Sequence, residues 1–185
     1  MTSGRKEAKL VARAAKGDPE AFGRLYEHYL DAIYRYLYHR VSVKEDAEDL
    51  IELVFLRAWE NLAGYRPGKA GFRAWLYRIA HNALIDHYRA RQEPDPLEER
   101  HAVEDARTDA EEHLEAREEL DRLARAMLKL EPDHQHVLVL RFIEGFRPRE
   151  VATILNQSEG AVRVMQHRAL KALAGLMAVE EVTHG

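Results

Sequence analysis

Acidic side chains are concentrated in one stretch of this 185-residue chain, between two stretches whose apolar residues follow a helical repeat. Residues 92–119 contain twelve acidic and three basic side chains, a net charge of −9. The other residues carry 20 acidic and 25 basic side chains, a net charge of +5. Residues 92–107, with Pro94, Pro96 and dense acidic side chains, cannot bury enough apolar surface to fold. We therefore predict two folded domains, residues 1–91 and 119–185, joined by an acidic flexible linker at residues 92–118.

Apolar residues on both sides of the acidic stretch recur every three or four positions, which indicates amphipathic helices. Asp18 and Pro19 have the N-cap and first-turn chemistry of a helix start. Capping boxes at residues 42–45 and 108–111 predict two further starts, with Ser42 and Thr108 as the N-caps. The predicted fold class is all-α, two small helical bundles, with helices at about residues 7–16, 18–39, 42–62, 72–91, 108–129, 132–144, 148–156 and 159–177.

The composition excludes several classes of protein. The chain has no cysteine, which excludes disulfides, thiolate metal sites and cysteine nucleophiles. No stretch approaches the roughly 18 consecutive apolar residues of a membrane span, and the N-terminus lacks the apolar run of a signal peptide. We therefore expect a cytoplasmic protein without membrane insertion. His134 and His136 lack a third ligand at helical spacing, so no metal or cofactor is predicted, and His81 and His87 are expected on helix surfaces.

Residues 148–176 have the pattern of a helix-turn-helix motif. Residues 156–158 supply the turn, Ser158 can cap the second helix, and Ala152 is small where that helix would cross. The predicted buried positions are Val151, Ala152 and Leu155, then Val162, Met165, Ala169, Leu173 and Leu176. The opposite face of the second helix is basic and suits the major groove of DNA; it carries Arg163, Val164, His167, Arg168 and Lys171. An ordinary amphipathic hairpin with solvated charges is the alternative, and the turn chemistry and Ala152 favour the DNA-binding motif.

Residues 66–91 contain six basic side chains and one acidic side chain, and they begin in a glycine-rich loop. Aromatic rings beside basic side chains can stack on unpaired bases and hold phosphates. We therefore predict that single-stranded nucleic acid is bound by Tyr65, Arg66, Lys69, Arg73, Arg78, Asn82 and Arg89. Trp75 is expected to pack within the bundle instead, and Tyr77 to border the polar side of its helix.

The helix predicted at residues 42–62 is strongly acidic on one side. Its core face is predicted at Ile51, Val54, Phe55, Ala58, Trp59 and Leu62. The other side carries Glu45, Glu48, Asp49 and Glu52, and Leu53 projects among them. An acidic face with one aliphatic side chain suggests a protein partner with basic groups and a small apolar pocket. A solvated face with one exposed leucine is the alternative, and these residues alone do not separate the two.

Short runs in a specific order carry a resemblance to a known family. In the first domain they are GDPEAF (17–22), DAEDL (46–50), FLRAW (55–59), FRAWLYRIAHN (72–82) and IDHYR (85–89). In the second they are LVLRFIEG (138–145), EVA (150–152), GAVR (160–163) and RAL (168–170). Together they resemble bacterial RNA polymerase sigma factors of the extracytoplasmic-function (ECF) group, in the sigma-70 family.

The resemblance implies an alternative sigma factor, not an enzyme, whose partners are core RNA polymerase and promoter DNA. Residues 46–59 would dock on polymerase, residues 65–91 would recognise and open the downstream promoter box, and the helix beginning near Gly160 would recognise the upstream box. An anti-sigma factor is a further partner that the family implies. The rival interpretation is a helix-turn-helix transcription regulator that acts without polymerase.

The chain departs from the family pattern at three places. Glu52 and Leu53 stand where the family usually has Gln-Glu, inside the docking helix. Ala161 replaces a usual Thr, and residues 164–165 are apolar where relatives have polar residues. The promoter sequence therefore cannot be transferred from relatives.

Overall fold

The computed structural model describes residues 3–38, 40–41, 43–90 and 114–184, which form helices joined by turns and contain no β-strand. The predicted all-α class is confirmed. The helices are α1 Ser3–Ala14, α2 Pro19–Tyr38, α3 Lys44–Leu62, α4 Gly71–Ala90, α5 Leu114–Leu128, α6 Pro132–Leu138, α7 Pro148–Leu155 and α8 Glu159–His184. None of these helices is long and apolar enough to cross a membrane.

The chain divides into two compact units, one containing α1 to α4 and the other containing α5, α6, α8 and most of α7. In the first unit, α2 packs against α1, α3 and α4, and α3 also packs against α4. Burial of large side chains from α2, α3 and α4 holds this bundle together, because apolar surface removed from water stabilises the folded state. The largest fully buried side chains are Leu25, Ile33, Tyr36, Leu37, Val54, Leu62, Leu76, Tyr77 and Leu84.

In the second unit, α8 packs against α5 and α6. The helix predicted at residues 132–144 is α-helical only as far as Leu138, and Val139–Ile143 form a π-helical turn. The turn is closed by the Glu144 N–H, which donates to the Val139 carbonyl 2.9 Å away. The buried side chains of this unit include Val137, Leu140, Val151, Val162 and Ala169.

Several predicted helix ends are confirmed by their capping contacts. The Asp18 carboxylate accepts a hydrogen bond from the Ala21 N–H at 3.1 Å, and the Ser158 hydroxyl accepts one from the Ala161 N–H at 3.1 Å. Asn156 adopts the left-handed conformation, with φ of 53°, and ends α7 at the predicted turn. Asn tolerates this conformation better than most non-glycine residues, so the turn needs no glycine.

The predicted N-cap of α3 is wrong by one residue. The N-cap is Val43, whose side chain makes no capping hydrogen bond, and the helix begins at Lys44. A valine side chain has no acceptor, so the first N–H groups of α3 receive no help from the cap residue. Ser42 itself, residues 92–113 of the predicted linker and the box at 108–111 lie outside the described residues. Residues 114–118, assigned to the flexible linker, are instead the first residues of α5.

The surface positions of two α4 side chains were predicted wrongly. Tyr77 is fully buried and its ring lies 5.2 Å from that of Tyr36, and His81 is only 8% exposed. The physical reason is that α4 packs against both α2 and α3, so it buries a wider arc than one amphipathic stripe. His87 is largely buried as well, with its Nε2 3.7 Å from an oxygen of Asp46 on α3.

Two predicted core positions also differ from the structure. Trp59 on α3 was assigned to the core face, yet 37% of it is exposed, and its ring packs edge-on against Phe22 at 4.9 Å. On α7, Ile154 is fully buried and Leu155 is only half-buried, one position away from the prediction.

Candidate nucleic-acid and protein interfaces

The acidic residues predicted on the outer side of α3 are all exposed. Glu45, Glu48, Asp49 and Glu52 point away from the bundle, and Glu48 forms an i,i+4 ion pair with Lys44 at 3.3 Å. The α3 residues that face the bundle are Ala47, Leu50, Ile51, Val54, Phe55, Ala58 and Leu62. The exposed acidic side of the helix is therefore accessible to a partner, and its charge is negative.

The exposed leucine on this acidic face is Leu56, which sequence reasoning missed. Leu56 is 55% exposed, whereas Leu53, the residue predicted to project among the acids, is half-buried. Leu56 follows Glu52 by four positions and Asp49 by seven, and this spacing places all three on one side of a helix. This spacing is the signal in the sequence from which the exposure of Leu56 could have been predicted.

Arg57 and Asp46 on α3 both contact side chains of α4. Arg57 Nη1 lies 3.0 Å from an oxygen of Asp86, and Asp46 lies beside His87 as described above. The candidate docking helix is thus tied to the helix that carries the candidate strand-binding residues. Both faces belong to one compact unit.

The loop before α4 holds its predicted tyrosine against an aromatic cluster. The Tyr65 ring lies 5.8 Å from that of Phe72 and 5.1 Å from that of Trp75, and these two rings lie 5.4 Å apart. Burial, followed by the negative charge of Glu7, raises the pKa of Tyr65. Tyr65 is therefore a half-buried, neutral ring at neutral pH. Trp75 packs in this cluster, as predicted, and is itself only half-buried.

The basic groups around this cluster differ in exposure. Arg66 and Lys69 in the loop are exposed, as are Arg78, Asn82 and Arg89 on α4. Arg73 is half-buried, with its guanidinium 5.3 Å from the centre of the Tyr77 ring. Arg66, Lys69, Arg78, Asn82 and Arg89 are thus available to a ligand, while Arg73 is engaged within the bundle.

The outward face of α8 is arranged as predicted. Val162 and Ala169 are fully buried, while Arg163, His167, Arg168 and Lys171 are exposed and Val164 is 51% exposed. Arg163 forms an i,i+4 ion pair with Glu159 at 2.7 Å. This pair is on the surface, so a base edge can displace the carboxylate at little cost. The predicted exposure is confirmed, and the DNA-binding role stays a prediction.

Comparison with known proteins assigns the chain to a family. An exposed acidic face on one helical unit, and a basic helix after a tight turn on another, are typical of a DNA-binding protein that also has a protein partner. Residues 25–93 match the family described as Sigma-70 region 2, and residues 120–173 match Sigma-70, region 4. The chain belongs to the sigma-70 family of RNA polymerase sigma factors, in the ECF group, which confirms the predicted family.

Individual relatives agree with this assignment. The chain is 38% identical to the ECF RNA polymerase sigma factor BldN of Streptomyces coelicolor, over 91% of this chain and 65% of that relative. It is 33% identical to the RNA polymerase sigma factor YlaC of Bacillus subtilis, over 78% of this chain and 85% of YlaC. The solved structure of CnrH, a sigma factor of Cupriavidus metallidurans, in complex with the cytosolic domain of CnrY is similar with a TM-score of 0.69. That similarity has 30% identity and covers 94% of this chain and 98% of CnrH.

Proposed function

We propose that this chain is an alternative sigma factor that binds core RNA polymerase and directs it to promoters. Residues 1–91 would dock on polymerase and open the downstream promoter box, and residues 119–185 would recognise the upstream box. Residues 92–118 would connect the two. The match of residues 25–93 and 120–173 to sigma regions 2 and 4 supports this division.

Docking is assigned to the outer face of α3. Its residues Glu45, Glu48, Asp49 and Glu52 are exposed, and Leu56 adds an apolar contact among them. A partner surface that is basic around a small apolar pocket complements this face. Leu53 is half-buried beside these residues, so it offers less surface to a partner than Leu56 does.

Strand capture is assigned to the loop and outer side of α4. Arg66, Lys69, Arg78 and Arg89 supply exposed positive charge, and Asn82 supplies both a donor and an acceptor for a base edge. The Tyr65 ring, seated on Trp75, provides an aromatic surface on which a displaced base can stack. The Arg73 guanidinium lies over the Tyr77 ring. Arg73 would therefore position neighbouring side chains and would not bind the strand itself.

The observation that carries the proposal is the exposed face of α8. Arg163 and Val164 lie in the first turns of this helix, where side chains reach base edges, and Arg168 and Lys171 lie further along. Arginine can pair bidentately with guanine, and valine can contact a thymine methyl group. The face therefore offers both sequence recognition and phosphate binding.

The family relation supports assignments of a further partner, of a non-catalytic role and of a cellular location. CnrH is solved with the cytosolic domain of CnrY, and by analogy we assign a further protein partner to this chain. An anti-sigma factor is the partner that the family resemblance implies. The role is one of binding, with no catalytic residue, and because polymerase is its partner we place the protein in the cytoplasm.

Co-purification with core polymerase tests the proposal against a regulator that acts alone. The full chain is mixed with core enzyme and separated by size, and DNA protection is measured with and without core. A sigma factor co-elutes with core and protects both promoter boxes only in the complex. Sequence-specific protection by the isolated chain, without co-elution, would mean a polymerase-independent regulator.

A further inference from the structure

Helix α1 presents a row of positive charges that the roles above do not use. Residues 3–16 contain Arg5, Lys6, Lys9, Arg13 and Lys16 against one acid, Glu7, and all five basic side chains are exposed. Arg13 is paired with Asp18 at 2.7 Å. Within the part of the chain that the structure describes, Arg5, Lys6, Lys9 and Lys16 have no ion-pair or hydrogen-bond partner.

The basic side chains of α1 share the side opposite to its buried face. Val11 and Ala14 are buried, at 5% and 3% exposure, against the bundle. Arg5 and Lys9 are one helical turn apart, and Ala12, which is exposed, comes three residues later on the same side. One side of α1 is thus apolar and buried, and the other side is positively charged and exposed. The exposed side attracts an anionic partner.

Contacts at both ends fix α1 on the bundle. The Tyr29 hydroxyl donates a hydrogen bond to the Glu7 carboxylate at 2.9 Å, and Arg13 holds Asp18 at the start of α2. The one acid of α1 therefore faces inward, and its charge does not neutralise the outer row. The basic side chains are presented by a docked helix and not by a loose terminus.

The N-terminal half of α1 adjoins the candidate strand-binding loop. The Tyr29 ring, whose hydroxyl binds Glu7, lies 5.7 Å from the Phe72 ring, against which Tyr65 packs. The effect of the Glu7 charge on the pKa of Tyr65 reflects the same closeness. Lys6 and Lys9 lie within two residues of Glu7, so the cations of α1 are near the loop that carries Arg66 and Lys69.

We propose that Arg5, Lys6 and Lys9 bind the phosphate backbone of promoter DNA beside the opened segment. The proposal rests on the sigma-factor role and adds a contact surface to it. Nucleic acid is the partner that the placement favours, because the row lies near a loop that is already basic and aromatic, whereas the acidic face of α3 is the one suited to polymerase. Contacts to phosphate add affinity without sequence preference.

Salt dependence of DNA binding tests the phosphate contacts. Holoenzyme made with an Arg5→Gln/Lys9→Gln variant is titrated with a promoter containing a pre-opened bubble at several salt concentrations. Two lost contacts should reduce the slope of log K against log salt by about 1–2 units, with unchanged affinity for core polymerase. The matched control is Arg24→Gln/Arg35→Gln, which removes two exposed α2 charges and should leave the slope unchanged.

Directed cleavage tests the location. The chain has no cysteine, so Ala12→Cys can be labelled with an iron chelate at one place on α1. Holoenzyme carrying this label should cut promoter DNA next to the opened segment, whereas a label at Glu60→Cys on α3 should not. Failure of unmodified protein to form holoenzyme would contradict the sigma role itself. An unchanged salt slope without DNA cleavage, or a loss confined to polymerase affinity, would overturn only the assignment of α1.

Discussion

Arg141 Nε donates a hydrogen bond to the side-chain oxygen of Gln166, 2.8 Å away. Arg141 lies in the π-helical turn, and Gln166 lies on α8 between the exposed residues assigned to DNA binding. The same guanidinium donates through Nη1 to the carbonyl of Phe146, just before α7. One side chain therefore joins α8 to the segment that leads into α7.

Loss of this guanidinium should loosen the second unit. Arg141→Met keeps much of the volume and removes both hydrogen bonds, so the free energy of unfolding of this unit should fall by about 1–3 kcal/mol. Native-state amide exchange in α6 and α8 measures the change. Arg168→Met, at an exposed arginine on α8, is the control and should leave exchange unaltered. Equal protection in both variants would show that Arg141 does not hold α8.

The acidic face of α3 gives a prediction about polymerase binding. Asp49→Lys combined with Leu56→Ala should weaken core binding at least tenfold, because it reverses a charge and removes the exposed apolar contact. The fold should be nearly unaffected, within about 0.5 kcal/mol, since both side chains are exposed. A pull-down titration with core polymerase measures the affinity, and thermal unfolding measures the stability.

Two control variants test whether the loss of core binding is specific to this face or follows from losing any leucine. Leu120→Ala removes a leucine that is 65% exposed on α5, and core binding should be unchanged. Leu53→Ala should cost more stability than Leu56→Ala, because Leu53 is half-buried. Unchanged affinity in the α3 double variant would remove this helix from the polymerase interface.

The aromatic cluster gives a prediction about promoter opening. Tyr65→Ala should reduce open-complex formation on duplex promoters by about tenfold, since one stacked base contributes about 1–3 kcal/mol. The loss should be smaller on templates with a pre-opened bubble, and Tyr65→Phe, which keeps the ring against Trp75, should retain most activity. Permanganate footprinting measures opening. Equal losses on both templates would show that Tyr65 does not act in opening.

The buried Tyr29 gives a prediction about alkaline stability. Burial, then the charge of Glu7, raises the pKa of Tyr29 above its ordinary value of 10.0. Below pH 10 both folded and unfolded chains keep the proton and the full stability is present. Above it the unfolded chain loses the proton first, so stability falls as the pH rises towards the raised pKa. Urea unfolding from pH 9 to 11 should show a shallower fall for Tyr29→Phe; identical pH profiles would contradict the assignment.

The parts of the fold that depend on local chemistry could be predicted from the sequence. Asp18 and Ser158 cap helices because each has a short side chain with a hydrogen-bond acceptor just before a segment of helical spacing. Asn156 ends α7 because it tolerates a left-handed conformation. The exposed face of α8 also follows from helical spacing, since one side of that helix is apolar. These features need no knowledge of which helix packs against which.

The errors arose where packing between helices decides the outcome. Tyr77 and His81 are buried because α4 contacts two neighbours, and a sequence pattern does not reveal the number of neighbours. Leu56 and Leu53 were confused because both lie near the edge of the buried arc of α3, where a small rotation of the helix exchanges exposure. The basic row of α1 was visible as charge, but its nearness to Tyr65 depends on the contact between Glu7 and Tyr29.

Run-off transcription with core polymerase and a library of promoter sequences tests the sigma-factor assignment most directly. Core enzyme with this chain should initiate from a restricted set of sequences that share an upstream and a downstream box. Arg163→Ala should relax the preference at one upstream base pair at a cost of about 1–3 kcal/mol, and Lys171→Ala should lower initiation on all sequences alike. If the chain failed to change which sequences core polymerase transcribes, it would not be acting as a promoter-specificity subunit.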